Sequence, residues 1–148
     1  MNPPLVIGYG NTLRADDAAG VLAAQQVRDT VPGVDVIITH DIHPEIAESL
    51  SHRDLVIFLD AAAGTEEVVC STLDLSSPVP PVDSHLFSPS QVLALCKSLY
   101  GTLPRAVYLV AIPAFDFSFT ERLSPATKTA IDESVKLVKR ILDERQEA

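Results

Sequence analysis

The stretch that decides the fold lies near the start of the chain and reads Val6-Ile7-Gly8-Tyr9-Gly10-Asn11-Thr12-Leu13-Arg14-Ala15-Asp16-Asp17-Ala18-Ala19-Gly20. A short apolar strand here passes through a glycine turn into two adjacent carboxylates. In α/β proteins such a turn places polar groups at the carboxyl end of the sheet, where ligands bind. The stretch therefore predicts an α/β fold with a functional crevice.

The glycines of this stretch resemble a dinucleotide-binding fingerprint, but the pattern is incomplete. Leu13 stands where the third glycine of G-x-G-x-x-G belongs, and Asp16 and Asp17 follow it. A phosphate-binding turn needs bare backbone N–H groups at a positive helix end, which adjacent carboxylates oppose. The turn is therefore better suited to a cation than to a phosphate, and Gly8 and Gly10 are expected to let the chain reverse tightly beside the sheet edge.

The composition is that of an acidic globular chain. Its 148 residues are enough for one domain spanning 1–148, 47% of them are apolar, and the formal net charge is −9. A field of this sign repels phosphate backbones and anionic lipids, so neither nucleic acid nor a membrane is expected as a partner. Cys70 and Cys96 lie in apolar patterns and are expected to be reduced core thiols. The opening Met1-Asn2-Pro3-Pro4 lacks the basic segment of a signal peptide, which predicts a cytoplasmic protein.

Five apolar, β-branched runs predict the strands. Four are almost continuous in Val, Ile and Leu, as in parallel strands buried on both faces. These four are Leu5–Tyr9, Val34–Thr39, Asp54–Leu59 and Ala106–Ile112. The fifth, Val68–Leu75, alternates more and follows the preceding run after a short turn, which predicts an antiparallel edge strand.

Helical patterns fill the gaps between the strands, as parallel crossover connections require. One runs from Asp16 or Asp17 to about Thr30, a short one follows Pro44, one begins at a capping box at Ser88, and the last begins at Ser124-Pro125. The prediction is a single-domain, doubly wound α/β fold. Its mostly parallel five-stranded sheet carries helices on both faces and one antiparallel edge strand.

Polar residues at the strand ends form the candidate site, because these ends converge on one crevice in a doubly wound sheet. The first strand is followed by Asn11, Asp16 and Asp17, and the third ends in Asp60. The proline-rich stretch 76–84, predicted as a surface loop, ends before His85. Two carboxylates and an imidazole that converge suit a borderline divalent ion such as Ni²⁺ or Zn²⁺.

Each of these residues also has a purely structural interpretation. Asp16 suits the N-cap of the following helix, and Asp17 suits its first turn, where the helix dipole favours a carboxylate. Asp60 closes a buried run, and its carboxylate must be hydrogen-bonded, paired or metal-bound, so capping of nearby N–H groups is an alternative to metal binding. His85 is either a ligand or a solvated loop side chain.

A rival pair of metal ligands follows the second strand. His40 and His43 have H-x-x-H spacing, but Pro44 favours His43 as a residue at a helix start. The chain contains no G-x-S-x-G, no activated-cysteine motif and no P-loop, so covalent hydrolase and nucleotide-hydrolase chemistries have no support.

The motifs together resemble the hydrogenase maturation endopeptidases, which trim the C-terminal peptide from the large subunit of NiFe hydrogenases after nickel insertion. The opening G-x-G-N-x-L-x-x-D-D-x-x-G, from Gly8 to Gly20, is similar to that family's first motif. The resemblance continues through Asp60-Ala61, through His85 before the next helix, and through Ile112-Pro113 and Leu123-Ser124-Pro125, so it covers essentially the whole chain.

The resemblance implies an aspartic-type endopeptidase in which Asp17, Asp60 and His85 bind the nickel of the substrate, with no organic cofactor. The substrate is then a NiFe hydrogenase large-subunit precursor, cleaved only when it carries its metal. In this scheme the turn itself is shaped by Gly8, Gly10, Asn11, Asp16 and Gly20. Asp17 is the shorter of the two acids found at its position in the family, so it reaches about 1.5 Å less far towards an ion.

Several alternatives stay open at the level of sequence. The metal is either a recognition tag or also polarises the cleaved carbonyl, and either Asp17 or Asp60 is a candidate general base. Two other classes of function compete with the protease. One is a domain that binds a nucleotide or nucleoside in the glycine turn, and the other is a partner protein that binds the hydrogenase subunit without cleaving it.

Overall fold

Five strands form the central sheet of the structure, a computed structural model that describes residues 2–75 and 86–147. The strands are β1 (Leu5–Tyr9), β2 (Asp35–Thr39), β3 (Leu55–Ala62), β4 (Val69–Thr72) and β5 (Ala106–Pro113). The helices are α1 (Ala19–Thr30), α2 (Ile46–Leu50), α3 (Pro89–Tyr100) and α4 (Pro125–Glu147), and a 3₁₀ turn spans Ala15–Ala18.

The strands lie in the order β2-β1-β3-β5-β4. All neighbours pair parallel except β4, which pairs antiparallel with β5. The mostly parallel five-stranded sheet with one antiparallel edge strand is therefore confirmed. The short connection after β3 does not place β4 beside β3, because β1 and β5 already occupy both sides of that strand.

Helices cover both faces of the sheet, as expected for a doubly wound fold. Successive residues of a strand point to opposite faces, so Ile57 packs in the cluster that α1 and α4 cover, while Phe58 packs in the cluster that α2 and α3 cover. The prediction that β2 is buried on both faces is wrong. This strand is at the sheet edge, Asp35 is exposed and its other residues are only partly buried.

Sequence signals predict the start of a helix correctly for α3 but not for α1. Ser88 caps α3, because its side chain accepts a hydrogen bond from the Gln91 N–H while the Gln91 side chain accepts one from the Ser88 N–H at 2.8 Å. The predicted start of α1 at Asp16 or Asp17 is wrong, since these residues form the 3₁₀ turn and the α-helix begins at Ala19.

The two cysteines differ in environment. Cys96 is buried in α3, as expected, whereas Cys70 is exposed, so the prediction of two core thiols is wrong for Cys70. The reason is that all of β4 is exposed at the sheet edge. The predicted loop 76–84 lies outside the described residues. Within residues 2–75 and 86–147, no helix combines the length and the apolar character that crossing a bilayer needs.

Three glycines of the opening motif allow the start of α1 to lie directly on the sheet. A Cβ on Gly20 would collide with the carbonyl oxygen of Leu59 and lie 2.7 Å from that of Tyr9. A Cβ on Gly8 would collide with the carbonyl oxygen of Gly20, and one on Gly10, which has φ +147°, with that of Asp17. Gly8 lies within β1 and allows α1 to pack closely against this strand. It does not form the chain reversal that the sequence predicted for it.

Gly20→Ala is expected to lower the free energy of unfolding by about 3 kcal/mol or more, because backbone atoms of two strands must move to admit one methyl group. Urea denaturation followed by circular dichroism measures the change. Gly33→Ala is the control, since Gly33 has φ +75° but open space around it, and its cost is limited to about 1–2 kcal/mol of backbone strain. Equal stability of the two variants would contradict the packing role of Gly20.

Candidate functional site

The carboxyl ends of β1 and β3 lie side by side and carry two polar side chains. Gly8 and Leu59 form the last paired row between these strands, and Tyr9 and Asp60 are the next residue of each. Asp60 is also paired in register with Ala111 of β5, so it lies near the centre of the sheet edge. This is the edge of the sheet at which the sequence pattern places the candidate site.

The environment of Asp60 favours its neutral form. Burial raises the pKa of its carboxyl to about 6; the nearby Tyr9 hydroxyl acts in the opposite direction, and the negative charge of Asp17 adds to the rise. Burial and the charges of Asp60 and Asp17 hold the pKa of Tyr9 well above its usual value. Tyr9 therefore stays protonated and acts as a hydrogen-bond donor to Asp60.

Asp17 is held in place by the backbone of the glycine turn. Its Oδ2 accepts a hydrogen bond of 2.7 Å from the Asn11 N–H. The Asn11 side chain in turn accepts one of 2.9 Å from the Leu13 N–H, which closes the turn locally. Because Asp17 raises the pKa of Asp60, the two carboxylates act on each other electrostatically. The structure thus places Asp17, Asp60 and Tyr9 within electrostatic range of one another.

Asp16 has a different role from the one predicted for it. It is not a helix N-cap, because its fully buried carboxylate accepts hydrogen bonds from the backbone N–H groups of Phe115, Asp116 and Ser124, at 2.8, 3.0 and 2.8 Å. Burial alone would raise its pKa, but these donors outweigh burial and lower it. Asp16 therefore ties the 3₁₀ turn to the loop between β5 and α4, residues 114–124.

Tyr9 is the site residue that the sequence interpretation missed. Its position between two glycines drew attention to the turn and not to the side chain. A usable signal existed, since a polar-tipped aromatic residue ends β1 beside the strand that carries Asp60.

Three histidines, His85, His40 and His43, are candidate ligands in the sequence. His85 lies outside the described residues, but Phe87 donates a hydrogen bond of 3.3 Å from its N–H to the carbonyl of Ile42, after β2. His40 and His43 are both exposed. In the described part of the chain, no three or more His, Cys, Asp or Glu side chains are grouped to hold a metal ion. Of the three predicted ligands, Asp17 and Asp60 lie within the described residues, and their role as ligands stays a prediction.

The backbone of the glycine turn is not arranged as a phosphate cradle. The Gly10 N–H donates to the carbonyls of Thr39 and His40, and the Asn11 N–H donates to Asp17. A nucleotide phosphate needs such N–H groups free and a neighbourhood without carboxylates. The geometry therefore argues against the nucleotide-binding alternative.

Solved structures of known proteins share this fold over nearly the entire chain. The hydrogenase-maturating endopeptidase HybD from E. coli is 20% identical, with a TM-score of 0.81 over 98% of this chain and 94% of that one. The NiFe hydrogenase maturation protease HycI from Thermococcus kodakarensis is 23% identical, with a TM-score of 0.73 over 96% and 93%.

A hydrogenase 2 maturation peptidase from a Thaumarchaeota archaeon is 25% identical, with a TM-score of 0.71 over 96% of this chain and 99% of its own. No family model and no curated protein matches the sequence. The expected fold is thereby confirmed.

Proposed function

Since the chain has the fold of the hydrogenase maturation endopeptidases, we propose that it removes the C-terminal peptide of a NiFe hydrogenase large-subunit precursor after nickel insertion. The observation that carries the proposal is the pair of interacting carboxylates, Asp17 and Asp60, at the sheet edge of this fold. The neighbouring structures are named as maturation endopeptidases and proteases, and the pair supplies polar groups that hydrolysis of a peptide bond needs.

The proposed ligands of the substrate's nickel are Asp17, Asp60 and His85. Oxygen and imidazole donors suit a borderline divalent ion, and the mutual repulsion of the two carboxylates is relieved when a cation lies between them. Phe87, two positions after His85 in the sequence, is anchored beside the same sheet edge, which supports including His85. Nickel is thus part of the substrate, and no organic cofactor is needed.

The hydrolysis consumes one water molecule and breaks the C–N bond of one peptide group. The new carboxyl group stays on the trimmed subunit, and the new amino group begins the released peptide. A site completed only by the substrate's own metal would discriminate between finished and unfinished precursors. We place this reaction in the cytoplasm, which the two free cysteines fit because thiols there are kept reduced.

The decisive experiment incubates the purified chain with nickel-loaded and nickel-free precursor of the same organism. Mass spectrometry should show a shortened subunit and its C-terminal peptide only with the loaded precursor. Equal release from both forms would contradict nickel recognition while leaving the protease activity in place. Stable binding without any peptide release would overturn the proposal in favour of a non-catalytic partner protein.

A further inference from the structure

Three large apolar side chains are exposed on the two loops beside the carboxylates. Leu13 is 58% exposed, Phe115 51% and Phe119 83%. We call these three residues the apolar rim. Among the described residues, the other large apolar side chains with such exposure lie outside these two loops, on β4, before α3 and at its end: Val69, Leu86, Leu99 and Tyr100. The rim is therefore a local concentration of apolar surface.

The loops that carry the rim are firmly joined to each other. The Ala15 N–H donates to the carbonyl of Thr120 at 2.6 Å, and the Asp16 N–H to that of Asp116 at 2.9 Å. Arg14 donates from Nε to the carbonyl of Phe117 at 3.0 Å, and its guanidinium lies 5.0 Å from the centre of the Phe119 ring. The rings are thus held outward by a fixed backbone and do not protrude from an untethered loop.

The exposed rings of the rim do not contribute the stability that their burial would give. Burying a phenylalanine side chain contributes about 1.5–3 kcal/mol, which these rings forgo. Ala15 adds to the cost because it has φ +49°, a conformation that disfavours a residue with a Cβ. Strain and exposed aromatic surface at one place are typical of binding sites, where rigid aromatic side chains serve as anchors.

The rim is continuous with the candidate site. Leu13 follows directly on the turn in which the Asn11 N–H binds Asp17. The loop of Phe115 and Phe119 leaves the sheet where the Ala114 N–H donates to the carbonyl of Ala62, two residues after Asp60. The two loops that carry the rim therefore begin at the turn and at the sheet edge that carry Asp17 and Asp60.

We propose that the apolar rim binds an apolar segment of the precursor polypeptide that adjoins its nickel. The inference rests on the proposed function and adds a second contact to it. Charge complementarity favours this occupant over a second copy of the chain, because the substrate's cation matches Asp17 and Asp60, whereas a second copy would bring the same acidic groups to this edge. Binding then places the apolar segment on the rim while the metal lies over the carboxylates.

The test measures the Kd for the nickel-loaded precursor, together with KM and kcat for peptide release, in Phe119→Ala and Phe115→Ala. Loss of one aromatic anchor should raise Kd and KM at least about tenfold while kcat changes little, since the ring binds and does not react. Phe119→Leu, which keeps an apolar side chain, should restore most of the affinity. Leu99→Ala, at a residue 61% exposed on α3, is the control and should match the unaltered chain.

The Kd values test the rim, and peptide release tests the protease activity, so the two proposals can fail separately. Unaltered precursor affinity in both phenylalanine variants would overturn the rim proposal even if peptide release proceeds normally. If the unaltered chain binds precursor but releases no peptide, the proposed function fails, and the Kd values still decide for or against the rim. Light scattering tests the alternative of a second copy on the rim. If the unaltered chain is a dimer and Phe119→Ala is a monomer with unchanged precursor affinity, the rim proposal is overturned in favour of self-association.

Discussion

Asp60→Asn should reduce peptide release by roughly 100-fold or more and at the same time make the folded chain more stable at pH 8. The loss of activity follows because the substitution removes a negative charge from the proposed reacting site, where single charged groups act on this scale. The gain in stability follows because the ionised Asp60 is unfavourable in its buried position beside Asp17. Peptide release by mass spectrometry and thermal unfolding measure the two effects.

The pH dependence of that gain has a definite sign. The pKa of Asp60 rises from about 3.9 in an unfolded chain to about 6 in the folded one. The folded state therefore binds this proton more tightly, and stability falls as the pH rises from about 4 to about 6. Asp60→Asn should be more stable than the unaltered chain by about 3 kcal/mol at pH 8, and the difference should vanish below pH 4.

The matched control for this prediction is Asp54→Asn. Asp54 immediately precedes the other end of β3, its side chain is half exposed, and it forms a long ion pair with Arg105, at 3.9 Å. It should change neither peptide release nor the midpoint of unfolding noticeably, because exposed ion pairs contribute about 0–1 kcal/mol. Peptide release by Asp60→Asn equal to that of Asp54→Asn would remove Asp60 from the proposed site.

Asp16→Ala should lower the free energy of unfolding by about 3–5 kcal/mol, the second large effect that the structure predicts. The substitution leaves the N–H groups of Phe115, Asp116 and Ser124 without their acceptor, and hydrogen bonds to a charged group contribute about 1.5–3 kcal/mol each, though not additively. Urea denaturation at pH 7 measures the loss. We also expect reduced precursor affinity, because the same bonds hold the apolar rim.

Asp116→Ala is the control for Asp16→Ala. Asp116 is an exposed acid on the same loop whose carboxylate accepts a hydrogen bond of 2.9 Å from the Ser118 N–H. Asp116→Ala should lower the free energy of unfolding far less than Asp16→Ala does. Since the pKa of Asp16 is lowered on folding, its contribution is present above about pH 4 and disappears as the pH falls below that value. Equal unfolding midpoints for the two variants at pH 7 would contradict the role assigned to Asp16.

Features with short-range causes were predictable from the sequence. The run Leu5–Tyr9 is a strand with the predicted bounds, and the capping box at Ser88 forms as expected. Asp60 could be found because a carboxylate directly after a run of buried apolar residues stands out against them. These signals depend on residues within one element, so periodicity and capping rules suffice to recognise them.

Features that depend on distant partners were not predictable. Nothing near Asp16 shows that its hydrogen-bond donors come about 100 positions later in the chain. Gly8 leaves room for the carbonyl of Gly20, which belongs to the helix that packs on its strand. The exposure of Cys70 depends on β4 pairing with β5 at the edge. In each case the contacts that decide the role are made by residues distant in the sequence.

The carboxylate of Asp16 also sets a time at which the candidate site is completed during synthesis. Its donors lie at residues 115, 116 and 124, so in a nascent chain that does not yet include them the Asp16 carboxylate lacks these three hydrogen bonds. The carboxylate next to it, Asp17, precedes these residues by about 100 positions. The first motif is therefore completed only after residue 124 has been synthesised.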